Sequence, residues 1–483
     1  MPDRPNIILV MTDQQRADCL GRAGHPDLLT PNLDGLSHAG AFFRNAYSEC
    51  PICIPARHAV MTGKRPQNSG VTGFAAHARI ADEANTLPNL LRRAGYQTAS
   101  VGRNMHTYPH YRRYGFETVD HNQDRFYRDH PEVQPLSNTG GIWSDWPHEH
   151  DHGLSPSGIT ARPWPFEERL HETNVSIRKA LDFLDHRDRE SPFFLYVGTV
   201  APHPPLLPPA CYYDRYDRDD LAHEPRVGAW LDTDRDPLLC SPTRQPPHSI
   251  QEPRVVLEGH QRRSTLAGYL GLINHFDDQF QLLLMRLASE GIADDTVIIF
   301  TSDHGEMLGD HHCFRKSMPY EGAAHIPFLM RGPGIDPHTV VDQPAALMDI
   351  LPTCCDLAHI DTPADVDGSS LLPPLRGERL DRPYVHGTHC AMSGAHGGFH
   401  YLVDGRHKYI WWVGPGTEQL FDLEADPYET CDLAADPAQT SPLERFRAAL
   451  IERIADAPEG FVRDAKLVSG IAYGSHNTNA TIV

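Results

Sequence analysis

Residues 6–13 read Asn6-Ile7-Ile8-Leu9-Val10-Met11-Thr12-Asp13, an unbroken apolar run that stops abruptly in polar chemistry. Without polar–apolar alternation, and rich in branched side chains, such a run suits a strand covered on both faces, as in a parallel sheet. Two later runs repeat the pattern. Phe193 to Val200 is followed by Ala201-Pro202-His203, and Val297 to Thr301 is followed by Ser302-Asp303-His304-Gly305. Helical patterns lie between them. Thr30-Pro31 reads as an N-cap with proline at the first helical position, Leu33, Leu36 and Ala39 share one face, and Gly40 closes the segment. Thr86 to Ala94, closed by Gly95, follows the same grammar. Leu266, Leu270, Ile273, Phe276, Phe280, Leu283 and Leu287 form a long apolar stripe ending at Gly291. Strand and helix in alternation predict an open α/β sheet with helices on both faces. Ligands of such sheets sit outside the carboxyl ends of the strands, so Asp13, His203, Asp303 and His304 are expected on one rim.

Asp120 to Arg169 and Pro204 to Arg254 are rich in Pro, Asp, Arg and His. They read as long surface excursions that wall a pocket. The texture changes after Pro373. His400–Val403 and Lys408–Val413 read as a hairpin turning at Asp404-Gly405, and Leu443–Ile454 as an amphipathic helix. The expected organisation is a catalytic α/β domain over residues 1–374. A smaller α+β domain over 375–483 carries an antiparallel sheet, a terminal helix and a tail. The tail from Asp464 onward is expected to reach a neighbouring subunit, making a homo-oligomer.

The chain has 43 Lys and Arg against 64 Asp and Glu, a formal net charge of −21. That balance argues against a nucleic-acid partner. It also means that a site for an anionic substrate must carry its own local positive charge. No apolar window is long enough for a membrane span, and the run after Asn6 is too short for a signal-peptide core. The cytoplasm is therefore the expected compartment, with the ten cysteines reduced rather than paired.

Asp13-Gln14 and Asp303-His304 bring hard oxygen donors and an imidazole to strand ends, a set suited to a divalent cation that polarises an ester oxygen. Cys53-Ile54-Pro55-Ala56-Arg57, followed by Thr62-Gly63-Lys64, spells C-x-P-x-R and T-G-K. The residues leave two chemistries open, because Cys50-Pro51-Ile52-Cys53 is also C-x-x-C and fits a redox or non-catalytic dithiol protein.

In this context the segment resembles the formylglycine-dependent sulfatases of the alkaline-phosphatase superfamily. The resemblance implies an alkaline-phosphatase-like, mostly parallel sheet flanked by helices, and a sulfate ester as substrate, small-molecule or saccharide. It also implies that a formylglycine-generating enzyme converts Cys53 during maturation. The conversion has a chemical logic. A serine would end as a stable sulfate ester, whereas a hydrated aldehyde carries two hydroxyls on one carbon. One attacks, and the other then loses its proton to expel sulfate.

The same resemblance implies Asp13, Gln14, Cys53, Asp303 and His304 around the metal. The Asp-Gln and Asp-His pairs are similar to the branch of phosphonate monoester hydrolases and choline sulfatases, so a phosphonate monoester or phosphodiester hydrolase is the alternative activity. Calcium is the family's usual ion, and the imidazole leans toward manganese. Gly102-Arg103-Asn104-Met105-His106 resembles the family's G-K-x-H segment, with Arg103 or Asn104 standing in for its substrate-binding lysine and His106 matching its histidine. Ala201-Pro202-His203 matches A-P-H, whose histidine is the expected proton donor. Lys316 matches the lysine bridging nucleophile and sulfate, and Arg57 orients the nucleophile. Leu420-Phe421-Asp422-Leu423 and Asp426-Pro427-Tyr428-Glu429 resemble a segment of the family's smaller domain. His77, Asp310-His311-His312 and His325 receive no role from the sequence.

Overall fold

The computed structural model describes residues 4–75, 77–109, 112–121, 154, 158–231, 257–390 and 398–474. The first apolar run forms β1 (Asn6–Asp13), followed by β2 (Ala41–Phe43), β3 (Ala46–Tyr47), β4 (Gln97–Gly102) and β5 (Thr118–His121). The other two runs form β6 (Phe193–Pro202) and β7 (Thr296–Ser302), and β8 (Phe328–Arg331) and β9 (Thr339–Val341) come next. One eight-stranded sheet has the order β5-β4-β6-β1-β7-β8-β2-β9. Its first five strands run parallel, and β8 lies antiparallel to both neighbours. β1 is buried on both faces, as its unbroken run predicts. Ile7, Leu9 and Met11 enter one core cluster while Ile8 and Val10 enter the other.

Each face is covered by helices. Leu33 and Leu36 of Pro31–His38, Ile177, Ala180 and Leu184 of Glu172–His186, and part of the long stripe cover one side. The stripe belongs to helix Gly259–Ser289, and all of its predicted apolar positions are buried. The other face receives Ala56, Ala59 and Val60 of Cys53–Thr62, Leu90 and Leu91 of Leu87–Arg93, and Leu351 and Cys354 of Ile350–Leu357.

Thr30 and Thr86 stand at the N-cap positions with proline in the first turn, as predicted, but neither side chain makes the capping hydrogen bond. The Thr30 hydroxyl accepts from Gly21 N (2.9 Å) and donates to Asp34. The amides of Asn32 and Leu33 are instead taken by Asp277 of the long helix (3.1 and 2.8 Å). A buried carboxylate from a packed neighbour can approach these orphan amides as well as a local cap can. The Thr86 hydroxyl donates to Tyr114 O (2.8 Å). Gly40 is required by proximity rather than by a left-handed turn, since a Cβ there would lie 2.2 Å from Met330 O.

β10 (Ala345–Ala346) pairs with β3, and β11 (Val385–His389), β12 (Phe399–Val403), β13 (His407–Trp412) and β14 (Glu418–Asp422) form an antiparallel sheet. Phe399, Tyr401, Ile410 and Phe421 of this sheet join the core cluster beneath β1, while Tyr409, Trp411 and Leu420 pack on helix Thr440–Ile454. Part of the expected tail lies among the described residues. Tyr473 is buried against the chain's own sheet, its hydroxyl 2.5 Å from that of Thr388, and residues 475–483 lie outside the described residues. Most of the two expected excursions, residues 122–153 and 232–256, also lies outside them.

The small sheet is tied to the large one by charge as well as by apolar packing. The fully buried Lys408 ammonium meets Glu321 (2.7 Å) and Glu429 (3.0 Å), and Glu429 also accepts from Glu321 N (2.6 Å). Removing one partner of a buried ionic group leaves the others desolvated and unpaired. Lys408→Met is therefore expected to lower the unfolding free energy by about 3–5 kcal/mol, read as a lower urea midpoint. A loss below about 1 kcal/mol would show the network to be idle.

Candidate active site

The parallel order β4-β6-β1-β7 sets four carboxyl ends side by side, and each delivers its polar residue to one rim. Asp13 closes β1 and pairs in register with Pro202, while Thr12 pairs with Ser302, so His203 and Asp303 begin immediately beside Asp13. Arg103 follows β4, and its amide donates to Gly198 O (2.9 Å). A Cβ at Gly198 would lie 2.3 Å from Arg103 O, so only glycine admits this approach.

Cys53 is the first residue of helix Cys53–Thr62, and Pro55 sits in the first turn, where no intrahelical donor is lost. The i,i+4 spacing of C-x-P-x-R places Cys53 and Arg57 on one helix face. Arg57 has no exposed surface. It donates Nε to Asp303 Oδ2 (2.9 Å), Nη2 to Asp13 Oδ2 (3.1 Å), and Nη1 to Asn104 O (2.9 Å) and Tyr196 Oη (2.6 Å). Arg103 Nε adds a second cation at Asp13 Oδ2 (2.6 Å). Burial alone would raise the Asp13 carboxyl, but Arg103, His203, Lys316 and Arg57 hold it well below the ordinary carboxylate range.

The Cys53 thiol lies 3.1 Å from His304 Nε2, 3.2 Å from Lys316 Nζ and 3.7 Å from Asp13 Oδ1. Burial and Asp13 push this thiol up, yet Lys316 and His304 bring it below its usual value. His304 Nδ1 faces Gly305 O (2.9 Å), which fixes a proton there and leaves Nε2 facing Cys53, Asp13 and Asp303. Asp13, Cys53, Asp303 and His304 have ligand atoms within 4.8 Å of one another, and all four are buried. No other metal-capable group of three or more His, Cys, Asp and Glu occurs among the described residues. Two carboxylates and a tautomer-fixed imidazole, with a third oxygen nearby on Gln14, fit a divalent cation. Gln14 Oε1 accepts from Lys316 Nζ (2.8 Å).

The remaining residues marked in the sequence gather at the same rim. His203 Nδ1 faces Pro204 O (2.6 Å). His106 is buried at Nε2 without a partner. Burial first, and then neighbouring cations (Lys316 at His203, Arg103 and Arg57 at His106), keeps both imidazoles well below their ordinary proton affinity. Asn104 supports its own loop, because its side-chain oxygen accepts from His106 N (2.9 Å) and its carbonyl from Arg57.

The unassigned histidines fall elsewhere. His311 accepts from Gly228 N (3.1 Å) and packs on Trp230 and Tyr320; His325 pairs with Glu321 (2.7 Å); and Asp310 pairs with Arg16 (2.8 Å). His77 packs against Tyr108, their ring centroids 4.7 Å apart. Cys50 and Cys53 are both free thiols, and Cys50 faces Cys390 and Glu49 rather than the rim.

Three participants carried no sequence signal strong enough to single them out. Tyr196 sits inside an apolar strand run and shows only as a hydroxyl partner of Arg57. Glu172 opens a helix and accepts from Val200 N (2.9 Å), and burial pushes it up to about 7. Glu306 follows Asp303-His304-Gly305 directly, so its place in that loop was the available clue.

A family model described as Sulfatase matches residues 5–360, and one described as N-sulphoglucosamine sulphohydrolase, C-terminal, matches residues 309–456. The chain is 34% identical to an arylsulfatase of Clostridium perfringens (strain 13 / Type A), over 97% of this chain and 98% of that one. It is 31% identical to a choline-sulfatase of Rhizobium meliloti (strain 1021), over 90% of this chain and 83% of that one. Among solved structures, phosphonate monoester hydrolase of Agrobacterium radiobacter shares its fold with a TM-score of 0.76 at 24% identity. That match covers 94% of this chain and 96% of the other.

The donor geometry generates a metal prediction. Mn²⁺ or Ca²⁺ added to chelator-treated protein should raise the thermal midpoint, by the equivalent of about 2.7 kcal/mol at free ion 100-fold above Kd. Asp303→Asn should remove most of that gain. A parent midpoint indifferent to both ions would rule the cation out.

Proposed function

This chain belongs to the sulfatase family and is a sulfuric ester hydrolase, and we propose that Cys53, converted to formylglycine, is its nucleophile, acting beside a divalent cation on a small-molecule or saccharide sulfate ester. The observation that carries the proposal is the setting of Cys53. One buried position at a helix start touches Lys316 and His304 and lies beside Asp13, the carboxylate that Arg57 joins to Asp303.

As formylglycine hydrate the residue supplies one hydroxyl to attack sulfur and a second through which sulfate can leave. A bound cation would supply charge to the sulfuryl oxygens and acidify the attacking hydroxyl. Asp13, Asp303, His304 and the Gln14 oxygen would hold it. Calcium is the ion the family resemblance favours, and the His304 donor favours manganese.

The chain's own groups account for the rest. Lys316 lies between Gln14 and Cys53, where it neutralises charge building on the transferred group. Arg57 is fully engaged with two carboxylates, so its task is to fix them rather than to grip substrate. His203 and His106 are neutral in the free site. An arriving sulfate raises their proton affinity, so the proton needed by the leaving oxygen is recruited with the substrate. Residues 53–57 are buried and helical in the folded chain, which supports conversion of Cys53 by the generating enzyme before folding.

A phosphonate monoester or phosphodiester is the second reading. Gln14 and His304, both at the donor group, favour it, and the same residues would serve.

Mass spectrometry of the Cys53 peptide, from cells that convert a control sulfatase, should show sulfur replaced by an aldehyde oxygen. Turnover of an aryl sulfate should exceed that of an aryl phosphonate monoester, and Cys53→Ala should lower it by at least about 10³-fold. An unmodified thiol, or normal turnover by the alanine variant, would remove the mechanism, whereas a reversed substrate preference would select the second reading. His203→Asn should cost about 10²–10⁴-fold on an alkyl sulfate and much less on a nitrophenyl sulfate, whose leaving group needs little protonation. Equal losses on both would deny His203 the role of proton donor.

A further inference from the structure

Glu306 lies beyond the residues that surround Cys53, yet its buried carboxylate reaches two of the groups that do. Its Oε1 accepts from the backbone amides of Leu308 (2.9 Å) and Arg315, and its Oε2 accepts from Nε2 of Gln14. Gln14 in turn presents Oε1 to Lys316 Nζ (2.8 Å), and Lys316 lies 3.2 Å from Cys53 Sγ. The orientation of this amide follows from chemistry. A carboxylate that already accepts twice takes the donor end of Gln14, and an ammonium has nothing to accept with, so it takes the oxygen end. The backbone of Gln14 is equally constrained. Its φ is +72°, its N–H donates to Asp303 Oδ1 (3.2 Å), and its carbonyl accepts from the Tyr269 hydroxyl (2.7 Å). A non-glycine residue held in the left-handed region by bonds on every polar group marks a position where the fold over-determines one side chain.

We propose that Glu306 is a positioning residue. It sets the polarity of the Gln14 amide so that oxygen, not nitrogen, faces the cation, and through Arg315 N it anchors the loop carrying Lys316. The proposal rests on the reading of Asp13, Gln14, Asp303 and His304 as a cation site.

It has a consequence at the level of single atoms. In Glu306→Gln the two backbone amides keep the new amide oxygen, so its NH₂ faces Gln14. Gln14 must then turn its own oxygen toward position 306 and offer NH₂ to both Lys316 and the cation, and an amide NH₂ ligates neither. Gln14→Glu in that background repairs the polarity. One oxygen of the new carboxylate accepts from the amide at 306 and the other faces Lys316 and the cation, with the net charge of the parent. Gln14→Glu alone opposes two carboxylates at hydrogen-bonding distance.

The test is Mn²⁺ binding by chelator-stripped full-length protein, followed by titration calorimetry on parent, E306Q, Q14E and the swapped E306Q/Q14E variant. Peptide mass serves as a check that Cys53 is in the same state in all four. Each single variant should bind about 10- to 100-fold more weakly, and the swapped variant should return to within about threefold of the parent. Parent-like binding by E306Q overturns the proposal, as does a swapped variant no better than the singles. Where E306Q alone does not fold, the swapped variant decides. Folded with parent-like affinity it supports the proposal; folded with weak affinity, or unable to fold, it overturns the complementarity claimed. A parent that binds neither Mn²⁺ nor Ca²⁺ overturns the cation reading and this inference together, whereas a binding parent without rescue overturns the positioning role only.

Discussion

A guanidinium with no exposed surface, clasped between two carboxylates with none, is the constraint on which this molecule is arranged. Arg57 joins Asp13 at the end of β1 to Asp303 just past β7, and these strands are neighbours. Two carboxylates this close could not both stay ionised in a dry interior without a cation between them. The cation must come from outside the sheet, and the helix beginning at Cys53 delivers it one turn after Cys53. Proline inside the motif is compatible only because it falls in the first turn. The spacing of C-x-P-x-R is thus a statement about helix geometry. It puts Cys53 at the helix start and the ion that organises its surroundings on the same face.

The acidic chain resolves its difficulty with anionic substrates locally. Arg57, Arg103 and Lys316 cluster on Asp13, Asp303 and Cys53, so three cations gather around the nucleophile candidate before any metal is counted, within a protein of formal charge −21. Burial strengthens their effect, since charges at the rim act through less dielectric than those on the surface. A second buried ionic group, Lys408 between Glu321 and Glu429, has a different task. It lies where the antiparallel sheet meets the large core, and Glu429 belongs to the Asp426-Pro427-Tyr428-Glu429 segment, which the sequence alone marks without explaining. That segment anchors the small sheet through charge, while Phe399, Tyr401 and Phe421 continue the apolar core across the join.

What the sequence disclosed follows from the range of the forces involved. Buried parallel strands announce themselves through unbroken apolar runs, and residues that end such runs must share a rim, so the common rim of Asp13, His203 and Asp303 is legible in the sequence. The long helix was equally plain, because its stripe is local. Contacts between distant segments left no local trace. Nothing near Thr30 hints that Asp277 takes the amides it was expected to cap. Tyr196 reads as one more aromatic residue in a strand, although its hydroxyl completes the Arg57 shell. Glu306 reads as a loop acid, and only the fold turns its two oxygens toward Gln14 and Arg315. Arg103, one of the two residues read as standing in for a lysine in the Gly102–His106 segment, has its partner Asp13 on another strand.

Backbone strain is part of the same arrangement. Gln14, His106, Leu308, His311, His312, Arg315 and Ser317 all hold positive φ without being glycine, and they lie at the rim or in the loop between His304 and Lys316's neighbour Ser317. Each costs on the order of 1 kcal/mol or more, and the cost persists only where other contacts over-determine the conformation. Those contacts are present: Met307 N to Arg315 O at 2.7 Å, Ser317 N to Pro51 O at 2.8 Å, and the Glu306 oxygens between. A long, flexible lysine is thereby mounted between two left-handed residues, and its freedom is reduced before substrate arrives. The electrostatic work of such a site depends on dipoles and charges that need not reorganise during reaction. The strained loop, the clasped carboxylates and the oriented Gln14 amide are therefore one device, in which core packing and ion pairing offset the cost of holding charge in place.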